Sequence, residues 1–136
     1  MIEREITMNN SKKISKVLIC GGRHFDDYEY LNTFCESVLK GLGLADDVEI
    51  VSGHCKGADM LGERFAKEHG YGVKTFPAQW DKYGKGAGLK RNIEMLDYMK
   101  DYGSVVIGFV SENSKGTKFT VNNAKKRMIE TYVTEC

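Results

Sequence analysis

A chain of 136 residues and 15.3 kDa is the size of one domain, large enough to bury a core and too small to hold two comfortably. Its 41% hydrophobic and 29% charged residues, with 15 glycines against one proline, fit a globular protein with glycine-built loops. The net charge of +1 argues against a general polyanion binder, whose affinity needs a clustered surplus of Lys and Arg.

Within Lys16 to Cys20, Val17, Leu18 and Ile19 make a short continuous apolar run that stops at Gly21-Gly22, the pattern of a strand buried on both faces. Asp26 with Glu29 reads as a capping box, and Leu31, Phe34, Cys35, Val38, Leu39 and Leu42 recur at helical spacing as far as Gly41 and Gly43. Val48 to Ser52 is expected as a second strand ending at Gly53, followed by a helical stripe of Leu61, Phe65 and Ala66 that closes at Gly70. Val73 to Phe76 is a third strand, stopped by Pro77, and a loop through Gly84, Gly86 and Gly88 leads into a helix marked by Leu89, Ile93, Leu96 and Met99. Val105 to Val110, the most hydrophobic strand, is expected at the sheet centre. A polar loop, Ser111 to Gly116, then precedes a helix with Val121, Ala124 and Met128, and Tyr132 to Thr134 is expected as an edge strand.

Strands alternating with helices of this length imply an α/β fold, a Rossmann-like three-layer sandwich with a mostly parallel five-stranded sheet, because right-handed crossovers place helices on both faces. The longest apolar stretch, Val105 to Val110, is interrupted by Gly108 and falls far short of the roughly 20 residues of a bilayer span. Met1 to Lys16 contains no apolar segment of the secretory kind. A cytoplasmic protein with no membrane partner is the expectation.

In such folds ligands sit beyond the carboxyl ends of the strands, where the chain order reverses. Four segments meet there: Gly21-Gly22-Arg23-His24-Phe25, Ser52 to Asp59, Pro77 to Asn92, and Ser114-Lys115-Gly116-Thr117. Three are glycine loops running into helix starts, where close backbone approach and the helix dipole suit an anion. None is a Walker A loop, since Gly53-His54-Cys55-Lys56-Gly57-Ala58-Asp59 lacks the Lys-Ser/Thr ending, and Gly21-Gly22 does not open a Gly-x-Gly-x-x-Gly motif. Asp59 has two readings, a first-turn acid favoured by the helix dipole or a partner for a ribose hydroxyl. Trp80 and Tyr83 either stack on a base or pack on their own domain. Cys20, His24, His54 and Cys55 gather beyond the first two strands, but their spacing matches no metal motif, so no metal and no cofactor are expected.

Val51-Ser52-Gly53 with Lys56-Gly57-Ala58-Asp59, Phe76-Pro77-Ala78, Trp80 to Lys85, Gly88, Arg91-Asn92 and Ser114 to Thr117 together resemble the small YspA-like branch of the SLOG superfamily. That superfamily groups the DNA-processing protein DprA with the LOG phosphoribohydrolases. The resemblance implies a nucleotide-binding Rossmann-like domain. Gly116-Thr117 is similar to the Gly-Thr of the LOG phosphate loop, and Arg91 to that family's arginine facing the ribosyl phosphate. LOG hydrolases carry a glutamate where this chain has Thr120, and the branch favours Gly-Ala-Arg where this chain has His54, Cys55 and Lys56. Lys56 keeps the charge without the planar fork of arginine.

Residues 1–15 are therefore expected as a flexible N-terminal segment and 16–136 as one SLOG-type domain. It is expected to bind a nucleotide or nucleotide-derived ribosyl phosphate, in a sensor or processing role. The expected ligand-binding residues are Gly21, Gly22, Arg23, Ser52, Gly53, Lys56, Gly57, Ala58, Asp59, Trp80, Arg91, Asn92, Ser114, Lys115, Gly116 and Thr117. The alternative is a nucleoside-phosphate N-glycosidic hydrolase, with Asp59 and Arg91 as candidate catalytic residues. A third reading, single-stranded DNA binding, is disfavoured by 20 cationic against 19 acidic residues. A homo-oligomer is compatible with the sequence.

Overall fold

Along the first strand Val17 and Ile19 bury themselves in one apolar cluster and Leu18 and Cys20 in another, so the alternation of side chains feeds two cores at once. The computed structural model describes residues 15–44, 47–99 and 103–136. Most of the expected N-terminal segment lies outside these residues, but Ser15, assigned to that segment, opens the first strand. The elements in chain order are β1 (Ser15–Gly21), α1 (Tyr28–Gly41), β2 (Val48–Ser52), α2 (Ala58–His69), β3 (Gly72–Thr75), the single turn α3 (Trp80–Tyr83), α4 (Ala87–Tyr98), β4 (Val105–Val110), α5 (Lys115–Lys126) and β5 (Glu130–Glu135).

The five strands form one sheet in the order β3-β2-β1-β4-β5, and every pairing is parallel. Each crossover therefore carries a helix. One face buries Leu31, Cys35 and Leu39 of α1 and Phe65 and Ala66 of α2; the other buries Met95 and Leu96 of α4 and Ala124 of α5. β1 holds the centre instead of the more hydrophobic β4, which lies next to it. Hydrophobicity does not separate the two because both are covered on both faces. The strand order reverses between β1 and β4, so their carboxyl ends open the crevice where a ligand of such a sheet binds.

Two local details set the shape of that crevice. The cap of α1 is Asp27, whose carboxylate accepts the Tyr30 N–H at 3.1 Å, and not Asp26, because the helix begins at Tyr28; Asp26 is left exposed at the loop. On the opposite face Gly108 lets α5 approach β4 closely, since a Cβ there would stand 2.9 Å from Val121 Cγ2. No helix among the described residues is long and apolar enough to cross a membrane.

Candidate functional site

A cavity of about 620 Å³ opens at the carboxyl edge of the sheet, over the point where the strand order reverses. Its walls come from the loops after β1, β2 and β4, from the starts of α1, α2 and α5 and from Arg91, Asn92 and Met95 in the middle of α4. Of the residues expected from sequence, Gly21, Gly22, Arg23, Lys56, Asp59, Arg91, Asn92, Ser114, Lys115, Gly116 and Thr117 line it. Ser52, Gly53, Gly57, Ala58 and Trp80 are not in the lining; they build the walls from behind or stand outside them.

Ser52, fully buried, donates to Glu63 Oε2 at 2.7 Å and accepts the His54 N–H at 3.0 Å, and the same Glu63 oxygen meets His54 Nδ1 at 2.8 Å. These bonds hold the β2–α2 loop in a fixed turn, with His54 at φ 59°. Gly57, at φ 92°, sits so close to the first loop that a Cβ would lie 2.4 Å from the Gly22 carbonyl oxygen. That carbonyl accepts the Ala58 N–H at 3.2 Å, and the Cys55 N–H goes to Asp59 Oδ2 at 3.2 Å. The amides of His54, Cys55 and Ala58 are thus engaged within the protein, whereas those of Lys56, Gly57 and Asp59 have no partner among the described residues and α2 begins without a side-chain cap.

The start of α5 is likewise open. Its N-cap residue Ser114 makes no side-chain cap; its hydroxyl instead exchanges hydrogen bonds of 2.8 Å with the backbone of Ser111. The first-turn amides of Gly116 and Thr117 are left without a partner among the described residues. Gly116 is exposed, and the nearest atom to a Cβ placed there is Asn92 Nδ2, at 3.8 Å.

Arg91 faces this helix start from α4. Its side chain is 8% exposed; Nε donates to Asn92 Oδ1 at 2.8 Å, and Nη1 donates to the Gly53 carbonyl and, at 3.4 Å, to that of Phe76. Its Nη2 makes no hydrogen bond among the described residues. Arg23, Lys56 and Lys115 likewise form no ion pair there. Trp80, 51% exposed, lies over Gly88, where a Cβ would meet Trp80 Cη2 at 3.4 Å and Arg91 Nη2 at 3.8 Å. It covers the outer side of the arginine without entering the cavity.

Asp59, also 8% exposed, shares the Gly53 corner with Arg91: a Cβ on Gly53 would stand 2.8 Å from both Asp59 Oδ2 and Arg91 Nη1. Burial pushes its carboxyl up from 3.8 to about 6, against the opposing pull of the Cys55 N–H and the Arg91 guanidinium; Glu63 adds to the rise and His54 opposes it. Cys20 lies beneath, and burial, aided by the Asp59 charge, holds its thiol well above the usual range. Among the described residues no three His, Cys, Asp or Glu side chains gather as a metal site; His54 instead pairs with Glu63, and Cys20 points at the Ile107 carbonyl.

The far wall is aromatic. Phe25, Tyr30 and Phe109 line it, with Phe25 5.2 Å and Tyr30 6.1 Å from the Phe109 ring centre. Phe25 and Tyr30 belong to the loop after β1 and the start of α1, so their place beyond a strand end is a signal the sequence carries. Cys136 also lines the cavity, drawn in by its backbone bond to Val110, and nothing in the sequence points to it. Thr120, at the position of the hydrolase glutamate, is in the lining with its hydroxyl bonded back to the Gly116 carbonyl at 3.0 Å.

The profile of the YspA, cpYpsA-related SLOG family matches residues 15–83, just over half of the chain. The chain belongs to this family. The matched segment runs from β1 through α3 and includes the first two glycine loops and Asp59, whereas Arg91, Asn92 and the start of α5 lie beyond it. The Gene 61 protein of Mycobacterium phage D29 is 34% identical over 82 residues, covering 57% of this chain and 63% of that protein, so the chain spans less than two thirds of this relative. In fold, the chain is similar to the X-ray structure of DNA processing protein A (DprA) from Streptococcus pneumoniae, with a TM-score of 0.64 and 19% identity over 90% of this chain and 50% of that one. That SLOG protein shares the Rossmann-like architecture, which confirms the α/β reading.

Proposed function

We propose that this domain binds a nucleotide or nucleotide-derived phosphate ester at the carboxyl edge of its sheet. The observation that carries the reading is the meeting, around one cavity, of two helix starts without side-chain caps, those of α2 and α5, with the buried Arg91. A phosphate needs backbone donors, a helix N-terminus and a positive charge that other groups have not neutralised, and groups of all three kinds line this cavity. Lys56 and Lys115 add unpaired charge at the rim, and Phe25 and Tyr30, which rest on the buried Phe109, suit a flat base.

The test is a thermal-shift comparison of AMP, ribose 5-phosphate and ADP-ribose with adenosine and ribose. A ligand that binds only the folded state stabilises it by about 2.7 kcal/mol at a hundredfold excess over its dissociation constant. The expected result is stabilisation by phosphorylated members alone. Equal response to nucleotide and nucleoside, or none to either, refutes the reading.

One observation favours a second reading, cleavage of an N-glycosidic bond. Asp59 is a buried carboxyl in the cavity that titrates at about 6, the range of a general acid. Release of free base from a nucleotide, followed by chromatography and lost in Asp59→Asn, separates an enzyme from a binding protein.

A further inference from the structure

We propose that the cavity takes up its anionic ligand together with a proton, and that the proton resides on the Asp59 carboxyl. The inference rests on the anion-binding reading above and adds to it the coupling between ligand and pH.

Asp59 and Arg91 meet at the Gly53 corner, and Arg91 is linked through Asn92 to the start of α5. An anion bound at the Gly116 and Thr117 amides therefore enters a cavity that Arg91 also lines and that already holds a carboxyl group removed from water. In the free protein the Arg91 guanidinium is the main positive charge facing that carboxyl. A second anion sharing the same guanidinium confronts a carboxylate across a region of low dielectric, and protonating Asp59 removes the repulsion. The neutral acid keeps the Cys55 N–H on one oxygen and gains a hydrogen to donate.

The other groups around Asp59 do not take over this role. Glu63, one turn along α2, makes the neighbourhood more negative and is tied to Ser52 and His54. His54 stands on the loop above with its Nδ1 on Glu63, and Cys20 beneath keeps its proton. Lys56 and Lys115, on the β2–α2 loop and the start of α5, are exposed to water, which screens them. Arg23 and His24 line the same cavity from the exposed first loop, where water screens them. Of the lining carboxyls removed from water, Asp59 is the one already balanced at about 6 by burial against Arg91, and its own resonance separates its proton from any taken up at His24.

Sulfate is the probe, because it keeps one charge state across the range in which Asp59 titrates, so any proton taken up belongs to the protein. In the full chain, the ¹³C resonance of the Asp59 carboxyl gives its midpoint, and the Gly116 and Thr117 amides report occupancy. Both are followed with sulfate and with chloride at matched ionic strength. Sulfate is expected to move the Asp59 midpoint up by about one pH unit or more. Its affinity is expected to fall about tenfold per pH unit between the free and bound midpoints, as uptake of one proton requires. Asp59→Asn is expected to bind sulfate with no such slope. If sulfate shifts the Gly116 and Thr117 amides while the Asp59 midpoint stays or falls, proton coupling is overturned and the anion site stands. If neither responds, the anion site fails and the coupling fails with it. The wild-type titration decides the matter even if Asp59→Asn does not fold.

Discussion

Replacing Asp59 by asparagine removes a charge that the fold holds at a cost, and the size of that cost follows from the carboxyl's environment. In the unfolded chain the group titrates near 3.8; buried beside the cavity it titrates at about 6. Between these values the folded protein binds more protons than the unfolded chain, so stability falls as pH rises through that window and stays low above it. A rise of about two pH units corresponds to about 3 kcal/mol at neutral pH. Asparagine has the same shape, can accept the Cys55 N–H through its carbonyl, and carries no charge to bury. The two proteins should therefore unfold alike near pH 4, and Asp59→Asn should become the more stable by up to about 3 kcal/mol at pH 7. Urea unfolding at intervals across this range measures the difference directly. A difference that does not grow between about pH 4 and pH 7, or a variant less stable than wild type at pH 7, refutes the claim that burial dominates at Asp59. The expected pattern is that of a site residue kept for its chemistry at the expense of stability.

Gly116→Val should fold normally, because the nearest atom to a new Cβ is Asn92 Nδ2 at 3.8 Å, yet lose stabilisation by AMP in thermal shift as the side chain covers the first-turn amides. Arg91→Ala should reduce affinity for AMP by tenfold or more, with little effect on adenosine, since a charge-assisted bond contributes about 1.5 to 3 kcal/mol. It should also destabilise the fold by about 1 to 3 kcal/mol, because the buried Gly53 carbonyl loses its donor; calorimetry and urea unfolding separate the two losses. Gly57→Ala should destabilise by about 2 to 4 kcal/mol, as the new Cβ meets the Gly22 carbonyl oxygen at 2.4 Å and the backbone is held at φ 92°. A Gly57→Ala variant with an unchanged urea midpoint would show that the first and second loops are free to part.

The fold was legible because each strand ends in a turn signal and each helix carries an apolar stripe: Val48–Ser52 and Val105–Val110 have the boundaries the sequence suggests, and Gly70 caps α2 at φ 76°. β3 is exposed along its whole length, so its limits had no burial pattern behind them and moved by one residue, to Gly72–Thr75. Strand order was less legible, since β1 and β4 are both buried runs and only the three-dimensional pairing places β1 between β2 and β4. The rule that ligands gather at strand ends brought Arg23, Asp59, Arg91 and Gly116 to one cavity. It says nothing about which backbone donors remain open, because that depends on hydrogen bonds between segments far apart in sequence, such as Ala58 to Gly22.

Two glycine loops of similar appearance are thus held by different bonds. The β2–α2 loop ties its His54, Cys55 and Ala58 amides to Ser52, Asp59 and the Gly22 carbonyl, which fixes Asp59 and the first loop in place, and leaves those of Lys56, Gly57 and Asp59 without a partner among the described residues. The β4–α5 loop satisfies Ser114 with Ser111 and leaves the helix start open. Both loops thus keep open amides beside one cavity, and Arg91 is tied to the β2–α2 loop through the Gly53 carbonyl and to its own helix neighbour through Asn92. A ligand drawn to the open amides of α5 shares its cavity with Asp59 and Arg91, so its charge bears on the Asp59 carboxyl. For the same reason the charge on Asp59 bears on anion binding even though its carboxyl is anchored to the β2–α2 loop and not to α5.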